Sequence, residues 1–278
     1  MKICILTVPY DSGHYRARMG RGPERLLELG LRPLLSSLGH KLVAEEVLTC
    51  DTHPAEIKTA FALCGKVAER VHTYRSEGSF PVVLSGNCNS AVGTISGCGC
   101  PSTGVVWFDA HGESTTPETT TSGFLDGMAI AILTGQCWQK LALGIPEFEP
   151  VSGRRILLVG SRDVEPEESV LLDRIGVTRV TGITHLEKHL KFLASAVDGV
   201  YLHFDLDVLD REVAVANQWA SSGGLSIEAL IEAVAAIQAH TKIKGLGIAS
   251  YDPECDHDGR AITAACSIVR LVVPASSS

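Results

Sequence analysis

Apolar runs of strand length recur along this chain, and helical patterns lie between many of them. The runs are KICILTV (2–8), PVVL (81–84), GVVWF (104–108), RILLVG (155–160), GVYLHF (199–204) and GLGIAS (245–250). Most are rich in Val, Ile or Leu, as strands buried on both faces are. In the stretch 53–75, Ile57, Phe61, Cys64, Val67 and Val71 keep a three-and-four spacing, and Pro54 suits a first helical turn. In the stretch 225–240, Ser226 is an N-cap, and Ile227, Leu230, Ile231, Val234 and Ile237 form an apolar stripe. A last helix over about 259–272 ends before Pro274, and the tail at 275–278 is expected to be disordered. Continuous apolar strands alternating with helices predict an α/β chain with a central parallel sheet covered on both faces. There is no internal repeat and no long linker, so the expectation is one domain over 1–278. Sheets of this kind bind ligands beyond the carboxyl ends of their strands.

Polar residues follow several of the runs. After Phe108 come Asp109, His111 and Glu113 at alternate positions. In an extended segment these three side chains point to one side and converge. Two carboxylates in one small volume repel unless a cation neutralises them, and oxygen with imidazole nitrogen suits manganese, iron or zinc. For this stretch alone, a polar strand-to-loop junction with solvated charges is the alternative. The stretch 201–210 repeats the pattern with Asp205 and Asp207, which are costly in a core without a cation. In the stretch 81–93 a strand ends at Leu84, Gly86 permits a tight turn, and Cys88 lies near a helix start, where a metal or the helix dipole would favour its thiolate. A buried filler is the plainer reading of Cys88 taken alone. Together these segments hold four carboxylates and an imidazole, more charge than one divalent ion needs. Two ions roughly 3.5–4 Å apart would neutralise it better, which points to metal-assisted hydrolysis.

Composition narrows the partners. The 278 residues are 45% hydrophobic and 20% charged, an ordinary soluble balance, and the formal charge of -8 disfavours a nucleic-acid backbone as partner. No apolar run approaches the roughly 18 residues of a membrane span, and the first residues are too briefly apolar for a signal peptide. Nine cysteines, an odd number, are scattered. The expectation is a cytoplasmic protein with free thiols that acts on a small molecule, with no nucleic-acid or membrane partner. The CGC at 98–100 lacks a second cysteine pair at finger spacing and reads as a loop.

The ordered set of motifs resembles the arginase/agmatinase (ureohydrolase) family over essentially the whole chain. FDAHGE and FDLDVLD are similar to its Asp-Ala-His-Thr-Asp and Asp-x-Asp-x-x-Asp segments. LSGNCNSAVGTISG is similar to its Gly-Gly-Asp-His segment and following helix, and TTPETTTSGFLDG to its substrate loop. GSRDVEPEE resembles its Arg-Asp-Val-Asp-Pro segment, and VPYDSG with GRGPERL its first strand and loop. The resemblance implies a three-layer α/β/α domain with two manganese ions. By that resemblance Asp109 and Asp205 bridge the ions, and His111 and Asp207 complete one site. The second site departs from the family: Cys88 and Glu113 stand where the family has His and Asp. Cysteine favours zinc or iron over manganese, and a subset of the family, including hydroxyarginine hydrolases of antibiotic pathways, carries it there. One full site and one altered site are therefore expected. Many relatives form trimers or hexamers, so a homo-oligomer is compatible with the resemblance.

The substrate side departs as well. The family's histidine proton shuttle falls at Asp126, whose ordinary pKa, about 3.9, makes it a poor acid at neutral pH. The glutamate that pairs with a guanidinium in arginase falls at Ser250, which cannot form that bidentate pair. Thr115 and Ser122 stand where arginases hold the amino-acid end, and Glu165 and Glu168 match the acids that receive the amino group. The expected function is a metal-dependent C–N hydrolase of a modified guanidino or amidino compound, with Asp126 and Asp109 catalytic. Amide or cyclic-imine chemistry on the same metal, and a non-catalytic ligand-binding relative, are the competing readings. His203 is read as satisfied within the sheet, Cys255 and His257 as a solvated loop, and Trp107 and Trp138 as core. Tyr10, Asp11, Ser12 and Arg18 are read as either pocket or structural turn.

Overall fold

The computed structural model describes residues 1–51 and 53–273; the tail expected at 275–278 lies outside them. Among the described residues, ten strands run in chain order: β1 (Lys2–Val8), β2 (Tyr10–Asp11), β3 (His14–Tyr15), β4 (Lys41–Val47), β5 (Phe80–Ser85), β6 (Thr103–Phe108), β7 (Ile156–Val159), β8 (Thr178–Val180), β9 (Gly199–Asp205) and β10 (Ile243–Ala249). Eight of them form one sheet in the order β4-β1-β5-β10-β9-β6-β7-β8, parallel throughout. β2 and β3 form a small antiparallel hairpin in the loop after β1. All six apolar runs are strands. The two that the apolar runs did not reveal, β4 and β8, are the sheet's edges. β4 alternates exposed and half-buried residues, and β8 is only three residues long, so neither presents a continuous apolar run.

Helices cover both faces, which makes three layers. Alternation along each strand decides which layer a side chain enters. Val82, Leu84, Val106, Phe108, Leu202 and Phe204 pack on one side with the helices Leu186–Ala196, Ile227–His240 and Arg260–Val272. Val105, Trp107 and Tyr201 pack on the other with the helices Glu56–Ser76 and Ser90–Gly99.

The helix at 227 starts as expected, with the Ser226 side chain accepting from the Ala229 N–H. Ile231 of its expected stripe instead faces solvent, because the buried set is Leu230, Ala233, Val234 and Ile237. The first long helix begins at Glu56, beyond Pro54. Trp138 is only half-buried, with its indole N–H directed at the Met128 sulfur, whereas Trp107 is fully buried. All nine cysteines are free thiols. Among the described residues, no helix is long and apolar enough to cross a membrane.

Candidate metal centre

Four adjacent central strands, β5, β10, β9 and β6, carry the site at their carboxyl ends. The chain leaves β5 to enter β6 and only later fills the gap with β9 and β10. The loops therefore part where a ligand can enter, as in other open α/β sheets. Gly86 follows β5 because a Cβ there would collide with the Tyr10 carbonyl and with Gly20. Close passage of the first loop's backbone, rather than the expected tight turn, is what requires it.

Two donor clusters form. Donor atoms of Asp109, His111 and Asp207 lie within 4.8 Å of one another, and so do those of Cys88, Asp109 and Asp205. Asp109 belongs to both. The segment after β6 does not stay extended as its alternation implied: the strand ends at Phe108, and Glu113 has a left-handed backbone, φ 52°. Glu113 joins a third grouping, with Cys88 and Asp126, rather than the one that holds His111. A left-handed non-glycine residue costs energy and is held only where its surroundings fix it. Here the Ile130 N–H donates to the Glu113 carbonyl at 2.7 Å.

The electrostatics are those of a cation site. Burial, then the charges of Asp207 and Asp109, pushes the Asp205 carboxyl well above its usual range, and Asp207 is raised in the same direction by burial and Asp109. Glu113 is raised well above its usual range by burial and by Asp109, Asp126 and Asp205, and its Oε2 is buried without a hydrogen-bond partner. Asp109 is lowered instead. Burial opposes this, but donors outweigh it: the His111 ring, the Trp107 indole N–H at 2.9 Å and the His111 backbone N–H at 2.8 Å. Burial would lower His111, yet its bond to Asp109 (3.3 Å) and the charges of Asp207 (3.5 Å) and Asp109 push it up to about 9. Crowded carboxylates, a thiol and an orphaned carboxylate oxygen fit a divalent ion.

Above the clusters lies a cavity of about 140 Å³, with walls that include Met19, Phe124 and Trp219 and acids toward its floor. Thr115 and Ser250 line it. The Thr115 hydroxyl donates to the Gly127 carbonyl at 2.8 Å. Ser250 has a left-handed backbone, φ 62°, and its carbonyl accepts from the Asn217 amide, which also donates to Asp207 at 3.1 Å. Ser122, exposed, lines an adjoining polar cavity with Glu165 and Glu168. These two glutamates form the capping box of the helix Pro166–Ile175, and Glu168 also accepts from the Ser114 N–H at 2.8 Å. Both acids therefore have a local structural role at the cavity rim.

Asp126 departs most from expectation. Its carboxylate accepts from the Cys88 N–H at 2.6 Å, the Asn89 N–H at 3.3 Å and the Asn87 amide at 2.8 Å. Burial outweighs the Asn87 bond and, with the Asp11 charge, brings its pKa up to about 7 instead of leaving it near the ordinary carboxylate value. Asp11 is buried with Arg18 at 2.6 Å, and the Ser12 backbone N–H donates to the Asn87 side chain, so that loop braces the residues around Asp126. His257 is exposed and Cys255 half-buried, away from the cavity.

Alternating apolar and polar signals did not single out three contributors. Asn217 and Trp219 lie in a loop without periodicity. Arg162 clamps the Asp207 loop by donating to the carbonyls of Asp207 (2.8 Å), Leu209 (3.3 Å) and Ser221 (3.0 Å). Its only sequence signal was its place within GSRDVEPEE.

Fold and site together define an α/β protein built around a candidate metal centre. The chain belongs to the Arginase family, whose model matches residues 1–273. It is 27% identical over 294 residues to an arginase of Bacillus subtilis (strain 168), covering 98% of this chain and 97% of that one. It is 31% identical over 245 residues to the hepatic arginase of Aquarana catesbeiana, covering 80% of this chain and 76% of that one. A crystal structure of arginase from Bacillus subtilis subsp. subtilis superposes with a TM-score of 0.89 at 25% identity, over 100% of both chains.

Proposed function

We propose that this protein is a metal-dependent hydrolase of a C–N bond in a modified guanidino or amidino compound, and that L-arginine is not its substrate. The observation that carries the reading is the meeting of Asp109, His111 and Asp207 in one cluster on the cavity side of the sheet. Asp109 and Asp205 would serve two divalent ions, manganese by family resemblance; His111 and Asp207 would complete one position, and Cys88 and Glu113 would contribute to the second, altered one. When bound, such ions activate water and polarise an electrophilic carbon. The chain's own residues do the rest. Asn217 and Arg162 fix the Asp207 loop, and Trp107 fixes Asp109. Asp126, close to neutral pH in its titration, exchanges a proton at the cavity floor. The apolar wall of Met19, Phe124 and Trp219 limits water.

Substrate choice follows from Ser250. By resemblance this position receives the guanidinium in arginase, and a buried hydroxyl cannot supply the paired charged bonds that a carboxylate would. Thr115, Ser122, Glu165 and Glu168 remain as polar contacts for a substrate's far end. The test is to incubate manganese-loaded protein with L-arginine, agmatine and N-hydroxylated and N-acylated guanidines and to follow products by mass. The expected result is turnover of a substituted guanidine and negligible urea from L-arginine. Rapid urea release from L-arginine would overturn the substrate assignment.

A further inference from the structure

The buried pair of Cys88 and His203 is the feature that the family pattern leaves unused. The Cys88 Sγ lies 3.1 Å from His203 Nε2, 3.1 Å from Asp205 Oδ2 and 4.0 Å from Asp109 Oδ2. His203 sits in β9 two residues before Asp205, so both side chains leave the same face of the strand. Its ring is held from three sides. Nδ1 meets the Tyr201 hydroxyl at 3.1 Å, the Trp107 ring packs against it, tilted by 32°, at 3.9 Å between centroids, and Gly247 opposite on β10 leaves the room that Tyr201 and His203 occupy. Near the thiol, the Glu113 carboxylate is buried with an oxygen that has no partner.

We propose that His203 is a positioning residue that holds the Cys88 sulfur as a metal ligand. The altered position then becomes a sulfur–carboxylate site that selects thiophilic divalent ions, while the His111 position remains an oxygen–nitrogen site. The inference rests on the metal-dependent reading above and deepens it: the two positions differ in the ion they prefer. A thiol packed against the carboxylates of Asp205 and Asp109 gains nothing by ionising alone. A cation reverses that balance. Binding replaces the S–H bond with a sulfur–metal bond and releases one proton to solvent. An imidazole 3.1 Å from the sulfur, itself held by Tyr201, fixes the direction in which the sulfur points. Groups that orient a ligand in this way typically contribute about 10–100-fold to metal affinity. Sulfur favours zinc and cobalt over manganese.

The test uses cobalt(II) as probe. Chelator-stripped full-length protein is titrated with cobalt anaerobically, following sulfur-to-cobalt charge-transfer absorption in the near ultraviolet and the visible ligand-field bands. The expected result is a saturating charge-transfer band that C88S abolishes and that zinc, but not equimolar manganese, displaces. H203A should weaken the cobalt affinity reported by that band about 10–100-fold. H203Q, which keeps a hydrogen-bonding group, should recover part of it. Circular dichroism verifies the fold of each variant. Cobalt binding with ligand-field bands but no charge transfer overturns the sulfur site and leaves the metal-dependent reading standing; no cobalt binding at all overturns both. An unchanged band and affinity in both folded His203 variants overturns the role of His203.

Discussion

Replacing Cys88 by the histidine that the family pattern places there should not restore an ordinary site, because His203 already fills the space. Cys88 is fully buried, and its sulfur touches His203 at 3.1 Å, Asp205 at 3.1 Å and Ser250 at 3.6 Å. Cys88→His puts a ring where one sulfur sat, and overpacking of this kind costs about 1–3 kcal/mol. His203→Ala alone removes a buried ring packed against Trp107 and takes the His203 partner from the Tyr201 hydroxyl, a loss of about 2–4 kcal/mol. In the double variant the introduced ring can enter the vacated volume. The combined loss should then fall short of the sum by about 1–3 kcal/mol. For a chain of this size each kcal/mol moves the melting temperature by about 2–4 °C, so the coupling should read as roughly 2–12 °C. The assay is a double-mutant cycle by denaturant and thermal unfolding in chelator, so that no ion contributes. Losses that add to within about 0.5 kcal/mol would refute the shared-volume reasoning.

Three further outcomes follow from the same geometry. Arg162→Ala strips donors from the carbonyls of Asp207, Leu209 and Ser221 and should cost about 2–4 kcal/mol in urea unfolding, with manganese lost more readily on dialysis; Arg162→Lys should recover little, since a point charge cannot replace the fork. Asp205→Asn should leave metal-free protein at least as stable as the parent, because burial and Asp207 already disfavour that charge. A cation at about 100 times its dissociation constant should stabilise the parent by about 2.7 kcal/mol, and the Asp205→Asn variant by clearly less; a variant that melts well below the parent in chelator contradicts the repulsion. Ser226→Ala removes the cap on the Ala229 N–H and should cost about 1 kcal/mol without changing metal content, as measured by unfolding and elemental analysis.

Strands buried on both faces were legible because each is a continuous apolar run. The edges β4 and β8 were not, because an edge needs only one apolar face or a few residues. Asp109, His111, Asp205 and Asp207 were legible as acids and an imidazole at strand ends, and the structure gathers them into two clusters that share Asp109. Glu113 was legible as a member but not in its direction, since alternation assumes an extended chain and a left-handed turn at φ 52° breaks it. The titration of Asp126 could not be read from its type: its ordinary value applies to a solvated carboxyl, and burial is a property of the fold. Asn217 and Trp219 come from a loop whose path depends on Arg162 and on the chain's return to Ser250, neither of which leaves a periodic trace.

The two faces of the central strands explain why His203 was the hardest residue to place. On one face Val106, Phe108, Leu202 and Phe204 are wholly apolar, and Phe108 stacks on Phe204 at 4.3 Å. On the other face Tyr201, His203 and Asp205 succeed one another along β9, beside Trp107 of β6 and then Asp109 just past its end, with Trp107 in register with His203. A polar column thus runs from the buried sheet up to the donor cluster, and it is tolerated because each member meets the next: Tyr201 with His203, His203 with Cys88, Cys88 with Asp205. A histidine between two apolar neighbours in GVYLHF reads as satisfied in the sheet, and so it is, but the partner that satisfies it is a candidate ligand. In the proposal made above, the preference of this site would be set one layer below the residues that would touch the ion, where a ligand-by-ligand comparison does not look.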